Sequence, residues 1–482
     1  MRLPRTHSIA QIEGITVFRR GLSTRADEFN SLISEVKSKK HLSEKDSVKP
    51  LSGTSFVAKD NIAFPQGYTT CASKALSNYR SPFKATVIQS LEDAGSDLIG
   101  KANLDEFGMG SSNVESYFGA VINPAFANEK RIAGGSSGGS AAAVRSEAST
   151  FALGTDTGGS VRLPAAYTGV IGFKPTYGRV SRWGVIPYAQ TLDTVGILAR
   201  DIGVVKQVFN AIDQHDEKDV TSIPEEIRSD WSGLPKLADM KNTTVGVPEE
   251  FLVEELSGYS RQVWYDTLNS LRKLGCTIKQ VNIPQIEKSL SAYYTIVSAE
   301  AASNLSRYDG VRYGFNSTDK PGTVHDIISR NRSSSFGQEV QRRIILGNYT
   351  LSSESGDHYL KATEVRKMLV KELNQVFSTQ HMLFSDDKPS SSGCDVLISP
   401  TYTSIPCTLD EYHNMNEENF LNNYINDILT VPASLAGVPA ISVPYQKQNT
   451  PEAKIPEAIQ IIAQHGNDEF LLDFTKELMM RF

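Results

Sequence analysis

Short apolar runs, each closed off by glycine, serine or charged residues, recur along the chain. Phe151–Leu153, Val170–Phe173, Val245–Val247, Val396–Ile398 and Ala440–Val443 are too short for helices, and their aliphatic and aromatic content predicts buried strands. Leu98-Ile99 predicts another. Thr86–Ala94 has a different period. Val87, Ile88, Leu91 and Ala94 share one face at helical spacing, and Gly95 supplies a stop, so an amphipathic helix is expected there. Strands alternating with helical stretches predict an α/β fold with a parallel or mixed sheet. Asp213–Asn242 is polar and acidic, with Pro224 and Pro235, and predicts a surface connection. Ser385–Gly393 predicts a second exposed loop. The sequence shows no internal repeat. The expectation is one elaborated domain over 26–482, with a peripheral insertion around 213–243.

Composition narrows the class. Of 482 residues, 39% are hydrophobic and 22% charged, which excludes wholesale disorder. No stretch approaches the roughly 18 uninterrupted apolar residues of a membrane span. Forty-nine basic against 55 acidic side chains give a net charge of -6, which argues against a globally basic nucleic-acid grip. Cys71, Cys276, Cys394 and Cys407 lie far apart without a CxxC pair. This is no disulfide scaffold, and it fits a reducing compartment. Without HExxH among the scattered histidines, a metal site has little support. Residues 1–25 differ from the rest. They carry Arg2, Arg5, Arg19, Arg20 and Arg25 against the single acid Glu13, with hydroxyls at Ser8, Thr16, Ser23 and Thr24. That composition suits a mitochondrial transit segment; the alternative is a solvated basic tail.

The chemistry concentrates in two glycine–serine clusters. Gly134-Gly135-Ser136-Ser137-Gly138-Gly139-Ser140 precedes the small apolar segment Ala141–Val144. Such a run is a poor strand and a poor helix interior, but it allows a backbone to approach a substrate closely. A phosphate loop would need a closing Gly-Lys-Ser/Thr, which is absent. Gly134-x-Ser136-x-Gly138 and Gly135-x-Ser137-x-Gly139 both match a nucleophile elbow in form, yet no downstream histidine stands in a matching motif. The second cluster is Gly154-Thr155-Asp156-Thr157-Gly158-Gly159-Ser160-Val161-Arg162, directly after the predicted strand Phe151–Leu153. A serine there presents its hydroxyl at a strand end, where successive backbone N–H groups point at one oxyanion. A serine nucleophile needs a base. Lys59 ends the apolar run Phe56-Val57-Ala58, and burial would depress its pKa toward a neutral amine. A salt-bridged strand-end lysine is the alternative for Lys59 taken alone.

Together VAKDNI around Lys59, GGSSGGSAAAV and GTDTGGSVRLPAA resemble the amidase signature family. The likeness extends through Gly172–Ser181 and Leu192–Gly196 to Val431–Ala433 and Leu435–Ala440, covering nearly everything after residue 50. It implies the amidase signature fold, a central mixed β-sheet flanked by helices on both faces. It also implies a Ser-cisSer-Lys triad: Ser160 as nucleophile, Ser136 as the bridging serine after a cis peptide, and Lys59 as base. The N–H groups at Thr157, Gly158, Gly159 and Ser160 would hold the oxyanion. Ser137 would serve loop geometry, and Asp156 and Arg162 would be structural partners.

Within the family, Gly100–Gly110, Ser298–Glu300, Arg307–Gly314, Arg342–Gly347 and Asn426–Ile428 are similar to the glutamine-hydrolysing subunits of tRNA-dependent amidotransferases. This implies glutamine as substrate, with Arg343 clamping its carboxylate, Asp427 its ammonium and Tyr294 adding a hydroxyl. Arg342 and Tyr293 are adjacent competitors for those roles. It further implies a B-type partner that amidates Glu-tRNA(Gln) and carries ATP and Mg²⁺, a small third subunit, and no cofactor in this chain. Two departures stand out. Ala133 replaces the proline usual before GGSSGG, and the region before Lys59 is shorter than in bacterial members. The latter, with the Arg-rich start, favours a mitochondrial complex with a different small subunit. Two rival functions remain: a stand-alone amide hydrolase indifferent to Arg343 and Asp427, and a catalytically silent scaffold of an RNA-binding complex.

Overall fold

The apolar runs become neighbours in one sheet. The computed structural model describes residues 28–36 and 49–481, except 127, 235, 318–321, 353–355, 384–391, 419–421 and 446–455. The Arg-rich stretch 1–25 and most of Ser385–Gly393 lie outside the described residues. In chain order the strands are β1 Leu32–Glu35, β2 Ser55–Lys59, β3 Asp97–Ala102, β4 Phe151–Asp156, β5 Ile171–Lys174 and β6 Thr194–Ala199, then β7 Thr244–Pro248, β8 Thr277–Val281, β9 Val396–Pro400, β10 Ala440–Tyr445 and β11 Glu457–Ala463. Across the sheet the order is β1-β3-β2-β4-β6-β5-β10-β11-β9-β7-β8. β2 runs parallel to β3 and β4, and β7 runs parallel to β8 and β9. From β4 through β6, β5, β10 and β11 to β9 the pairing is antiparallel. The sheet is therefore mixed, and each strand predicted from an apolar run is part of it.

Alternate side chains divide between two packing layers. The helices that matter here are α1 Thr86–Asp93, α2 Gly138–Arg145, α3 Arg162–Thr168 and α4 Ile202–Ile212. Val57 of β2, Ala152 of β4 and Leu198 of β6 pack with Ala141, Ala143 and Val144 of α2 and with Ala165 of α3. Phe56, Ala58, Phe151, Leu153 and Ile197 face the opposite way. They meet Val87, Ile88 and Leu91 of α1 and Val205, Val208 and Phe209 of α4. Phe56 and Phe151 stack across β2 and β4 with centroids 5.3 Å apart. A strand covered on both faces has no side for polar residues, which is why these strands read as unbroken apolar runs. Gly95, at φ +103, ends α1 in a conformation that favours glycine.

Helix α2 has to be made of small residues. A Cβ at Gly139 would stand 2.4 Å from the carbonyl oxygen of Asn103 and 2.5 Å from that of Ser31. Ala133, where the resembling sequences carry proline, is fully buried against Val121 and Ala142. The segment Asp213–Asn242 contains a short helix, Glu225–Asp230, and turns at Trp231–Gly233 and Met240–Asn242. Two of its acids tie it to the body of the protein. Asp213 pairs with Arg179 and Arg228, and Asp216 accepts from Ser181 and Thr86 at 2.6 Å each. No helix among the described residues is long and apolar enough to cross a membrane.

Candidate active site

β2 delivers Lys59 to the C-terminal end of the parallel part of the sheet, completely buried. Its Nζ is hydrogen bonded to Ser136 Oγ at 2.7 Å and to the carbonyl oxygen of Thr155 at 3.3 Å. Burial pushes the Lys59 ammonium down to about 7, against the pull of Asp105, Asp156 and Asp193. Ser136 follows a cis peptide bond, Gly135–Ser136, at the position the sequence likeness implied. The loop is pinned from below by Asp105. The Asp105 N–H donates to Ser136 O at 3.2 Å, and its carboxylate accepts from the N–H groups of Asn113 and Glu115 at 2.9 and 3.0 Å. A Cβ at Gly135 would stand 2.0 Å from Asp105 Oδ2, so only glycine fits. Burial pushes the Asp105 carboxyl up to about 7, against the hydrogen bond from Asn113 N–H.

The second cluster continues from β4. Ser160 begins the turn into α3 and is 8% exposed. Its carbonyl accepts from Ser137 N–H at 3.1 Å, which ties the two loops together. Ser137 Oγ donates to Thr155 O at 3.3 Å. The structure joins Lys59 to Ser136 directly. Among the described residues it shows no hydrogen bond between the Ser136 and Ser160 hydroxyls, and none from a histidine to any of the three. His381 and His465 instead stack on each other at 4.2 Å. Nor, among the described residues, do the N–H groups of Thr157, Gly158, Gly159 and Ser160 reach a protein acceptor outside regular structure. Thr157 is fixed by its side chain, whose Oγ1 donates to Asp193 at 2.7 Å.

Asp156 and Arg162 flank this turn and never reach solvent. Arg162 Nη2 meets Asp156 Oδ1 at 2.9 Å, while the same guanidinium donates to Thr430 O, Gln460 Oε1 and Ser434 Oγ at 2.8, 2.6 and 2.8 Å. Burial alone would raise Asp156; the Arg162 charge and hydrogen bonds outweigh it and hold the carboxyl below its ordinary value. Removing one member of such a pair strands a buried charge. Arg162→Ala is therefore expected to destabilise the protein by about 3–5 kcal/mol, read as a lower urea midpoint.

Arg343, Asp427 and Tyr294 converge beside this turn. Tyr293 and Tyr294 lie on α5 (Ile286–Leu305), which packs against α6 (Gln338–Leu351). Arg343, on α6, is 4% exposed, whereas the Arg342 side chain is 37% exposed, so Arg343 is the inward cation. Arg343 Nε donates to Glu339 at 2.7 Å, Nη1 donates to the Tyr188 hydroxyl, and the guanidinium lies over the rings of Tyr188, Tyr294 and Tyr424. The Tyr294 hydroxyl donates to Asp427 Oδ2 at 2.5 Å, and its ring stacks on Tyr424 at 4.2 Å. Burial pushes Asp427 up to about 6, against the Tyr294 hydrogen bond and the Arg343 charge. Asp427 O accepts from Thr430 N–H at 3.1 Å, and a Cβ at Gly159 would meet Thr430 Oγ1 at 2.1 Å. The fixed cation and fixed anion therefore border the serine turn. Tyr188, Tyr424, Glu339, Thr430, Asp105 and Asp193 are not singled out by the sequence. Tyr188 and Tyr424 carry no local signal, since their partners lie far away in the chain.

Chemically, the arrangement offers a serine at a strand end, a lysine poised to lose its proton, backbone N–H donors in the turn, and a cation–anion pair alongside. A family model described as Amidase matches residues 28–472. The A-type component of a mitochondrial glutamyl-tRNA(Gln) amidotransferase of Candida albicans is 52% identical over 452 residues, 94% of this chain and 96% of the relative. Its counterpart in Eremothecium gossypii is 44% identical over 90% of this chain and 92% of its own. Among solved structures, the A-type component of glutamyl-tRNA(Gln) amidotransferase from Thermotoga maritima superposes with a TM-score of 0.71 at 34% identity, covering 92% of this chain and 86% of that one. Allophanate hydrolase from Kluyveromyces lactis gives a TM-score of 0.73 at 25% identity, covering 94% of this chain and 67% of that one.

Proposed function

The chain belongs to the amidase family, and from that premise we propose that it is the glutamine-hydrolysing, A-type component of a mitochondrial glutamyl-tRNA(Gln) amidotransferase. The choice of glutamine rests on one observation: a buried guanidinium and a buried carboxylate stand together at the serine turn. Glutamine carries an α-carboxylate and an α-ammonium, and the pair Arg343 and Asp427 complements both. Tyr294 orients Asp427. Simple amides offer nothing for either charge.

Lys59, neutral above about pH 7, takes a proton from Ser160 through the Ser136 hydroxyl. Ser160 Oγ bonds to the side-chain amide carbon, and the carbonyl electron pair moves onto oxygen. The N–H groups of Thr157, Gly158 and Gly159 face that charge. The carbon–nitrogen bond then breaks, the relayed proton leaves with ammonia, and water hydrolyses the acyl-enzyme to glutamate. The relay needs the Ser160 hydroxyl to turn onto Ser136; the bond from Ser137 N–H to Ser160 O already holds the two loops together.

The ammonia would pass to a B-type partner that amidates Glu-tRNA(Gln) with ATP and Mg²⁺, and a small third subunit would complete a heterotrimer in the mitochondrial matrix. The net charge of -6 supports leaving most tRNA contacts to the partner. Residues 26–482 are inferred to form a single domain, a reading supported by one sheet with strands from Leu32 to Ala463.

The test is ammonia release from L-glutamine by the chain with its co-purifying partners, beside a panel of simple amides. In Arg343→Ala, kcat/KM for glutamine is expected to fall about 10²-fold, mostly through KM. Rapid hydrolysis of simple amides with glutamine ignored would leave the serine chemistry intact and overturn the glutamine assignment.

A further inference from the structure

Tyr293 adjoins the tyrosine that meets Asp427, but its hydroxyl goes elsewhere. The ring is 3% exposed and lies edge-on to Tyr294 with centroids 5.0 Å apart. A Cβ added at Gly158 would stand 2.5 Å from the Tyr293 hydroxyl oxygen, so this hydroxyl rests directly on the Thr157–Ser160 turn. The neighbouring tyrosines are all engaged: Tyr294 with Asp427, Tyr188 with Arg343 and Tyr424 with Glu339. The Tyr293 hydroxyl makes no hydrogen bond among the described residues. The donor is therefore left free beside the turn, where it keeps a little open space around it. Burial holds this phenol well above its ordinary pKa, so it remains a neutral O–H donor throughout the working range.

We propose that Tyr293 is a catalytic residue whose hydroxyl donates a hydrogen bond to the oxygen of the tetrahedral intermediate, alongside the N–H groups of the turn. The tyrosine itself transfers no proton. As the Ser160 Oγ–carbon bond forms, the carbonyl electron pair moves to oxygen, and the donor's hydrogen bond strengthens with that charge. The tyrosine keeps its proton while Lys59 receives the one lost by Ser160. The proposal rests on the serine chemistry of Ser160 and not on the identity of the amide.

Tyr293→Phe tests it, since the ring stays in place and no protein partner loses a hydrogen bond. The thermal midpoint should stay within a few degrees of wild type. The deciding readout is labelling of Ser160 by a fluorophosphonate. There an Oγ–phosphorus bond forms, the phosphorus–fluorine bond breaks, fluoride leaves, the serine proton enters the Lys59–Ser136 relay, and negative charge gathers on the phosphoryl oxygen. The labelling rate should fall at least about tenfold, and kcat for glutamine should fall about 10²-fold with KM nearly unchanged. Slowed labelling in a protein that ignores glutamine would sustain this role while sinking the glutamine assignment. An unchanged labelling rate overturns the proposal, whatever happens to KM.

Discussion

A Ser160→Ala protein is expected to fold and assemble normally and to release ammonia from glutamine at least about 10⁴-fold more slowly than wild type. Stability is spared because the Ser160 hydroxyl holds no other described side chain in place. The backbone contact from Ser137 N–H to Ser160 O survives the substitution. Catalysis is not spared, because the hydroxyl assigned to form the acyl bond is gone. Members of a nucleophile–base unit are strongly non-additive, so adding Lys59→Ala to Ser160→Ala should lower the rate little further. Ammonia release in the presence of the partners, followed for hours, checks both points. A Ser160→Ala protein that kept full activity in the complex would remove Ser160 as nucleophile and support the scaffold alternative.

The sequence made some parts of this site legible because they are local. Lys59 closes a strand that is apolar on both faces, so its burial follows from position alone. The glycines at 135, 139, 158 and 159 mark backbone pressed against other groups, and each would clash if given a side chain. Arg343 and Tyr294 were legible only through family likeness; what separates each from its neighbour is helix orientation. One step along α6 moves a guanidinium from the Tyr188–Tyr424 cluster to the surface. Tyr188, Glu339 and Tyr424 depend on loops and helices converging from distant segments. The strands missed have equally physical reasons. β8 is an edge strand with polar, largely exposed residues, and β11 buries Gln460, which answers Arg162 and Ser399. β6 starts from Asp193-Thr194, polar residues engaged by Thr157 and the turn before the strand.

Changing Lys59 should separate stability from activity. As the base it works only when neutral, and its pKa is pushed down to about 7. The expected kcat/KM therefore rises about tenfold per pH unit below 7 and levels off above it. Lys59→Arg places a permanent cation beside Ser136 and should lower turnover about 10⁴-fold at every pH between about 6 and 9. Lys59→Met should be as inactive, yet more stable than wild type. The sign follows from proton binding. The unfolded chain holds the Lys59 proton up to about its ordinary 10.5, whereas the folded chain releases it near 7. Below 7 both states are protonated and the buried charge penalises the fold in full. Between about 7 and 10.5 the unfolded state binds more protons, so wild-type stability climbs with pH. The gap to Lys59→Met should thus narrow by about 1.4 kcal/mol per pH unit across that window and stay constant below it. Urea midpoints at about pH 6, 7, 8 and 9, set beside ammonia release at the same values, measure both halves. A rate profile flat through pH 7, or a gap indifferent to pH, would mean that Lys59 stays charged and another group takes the proton of Ser160.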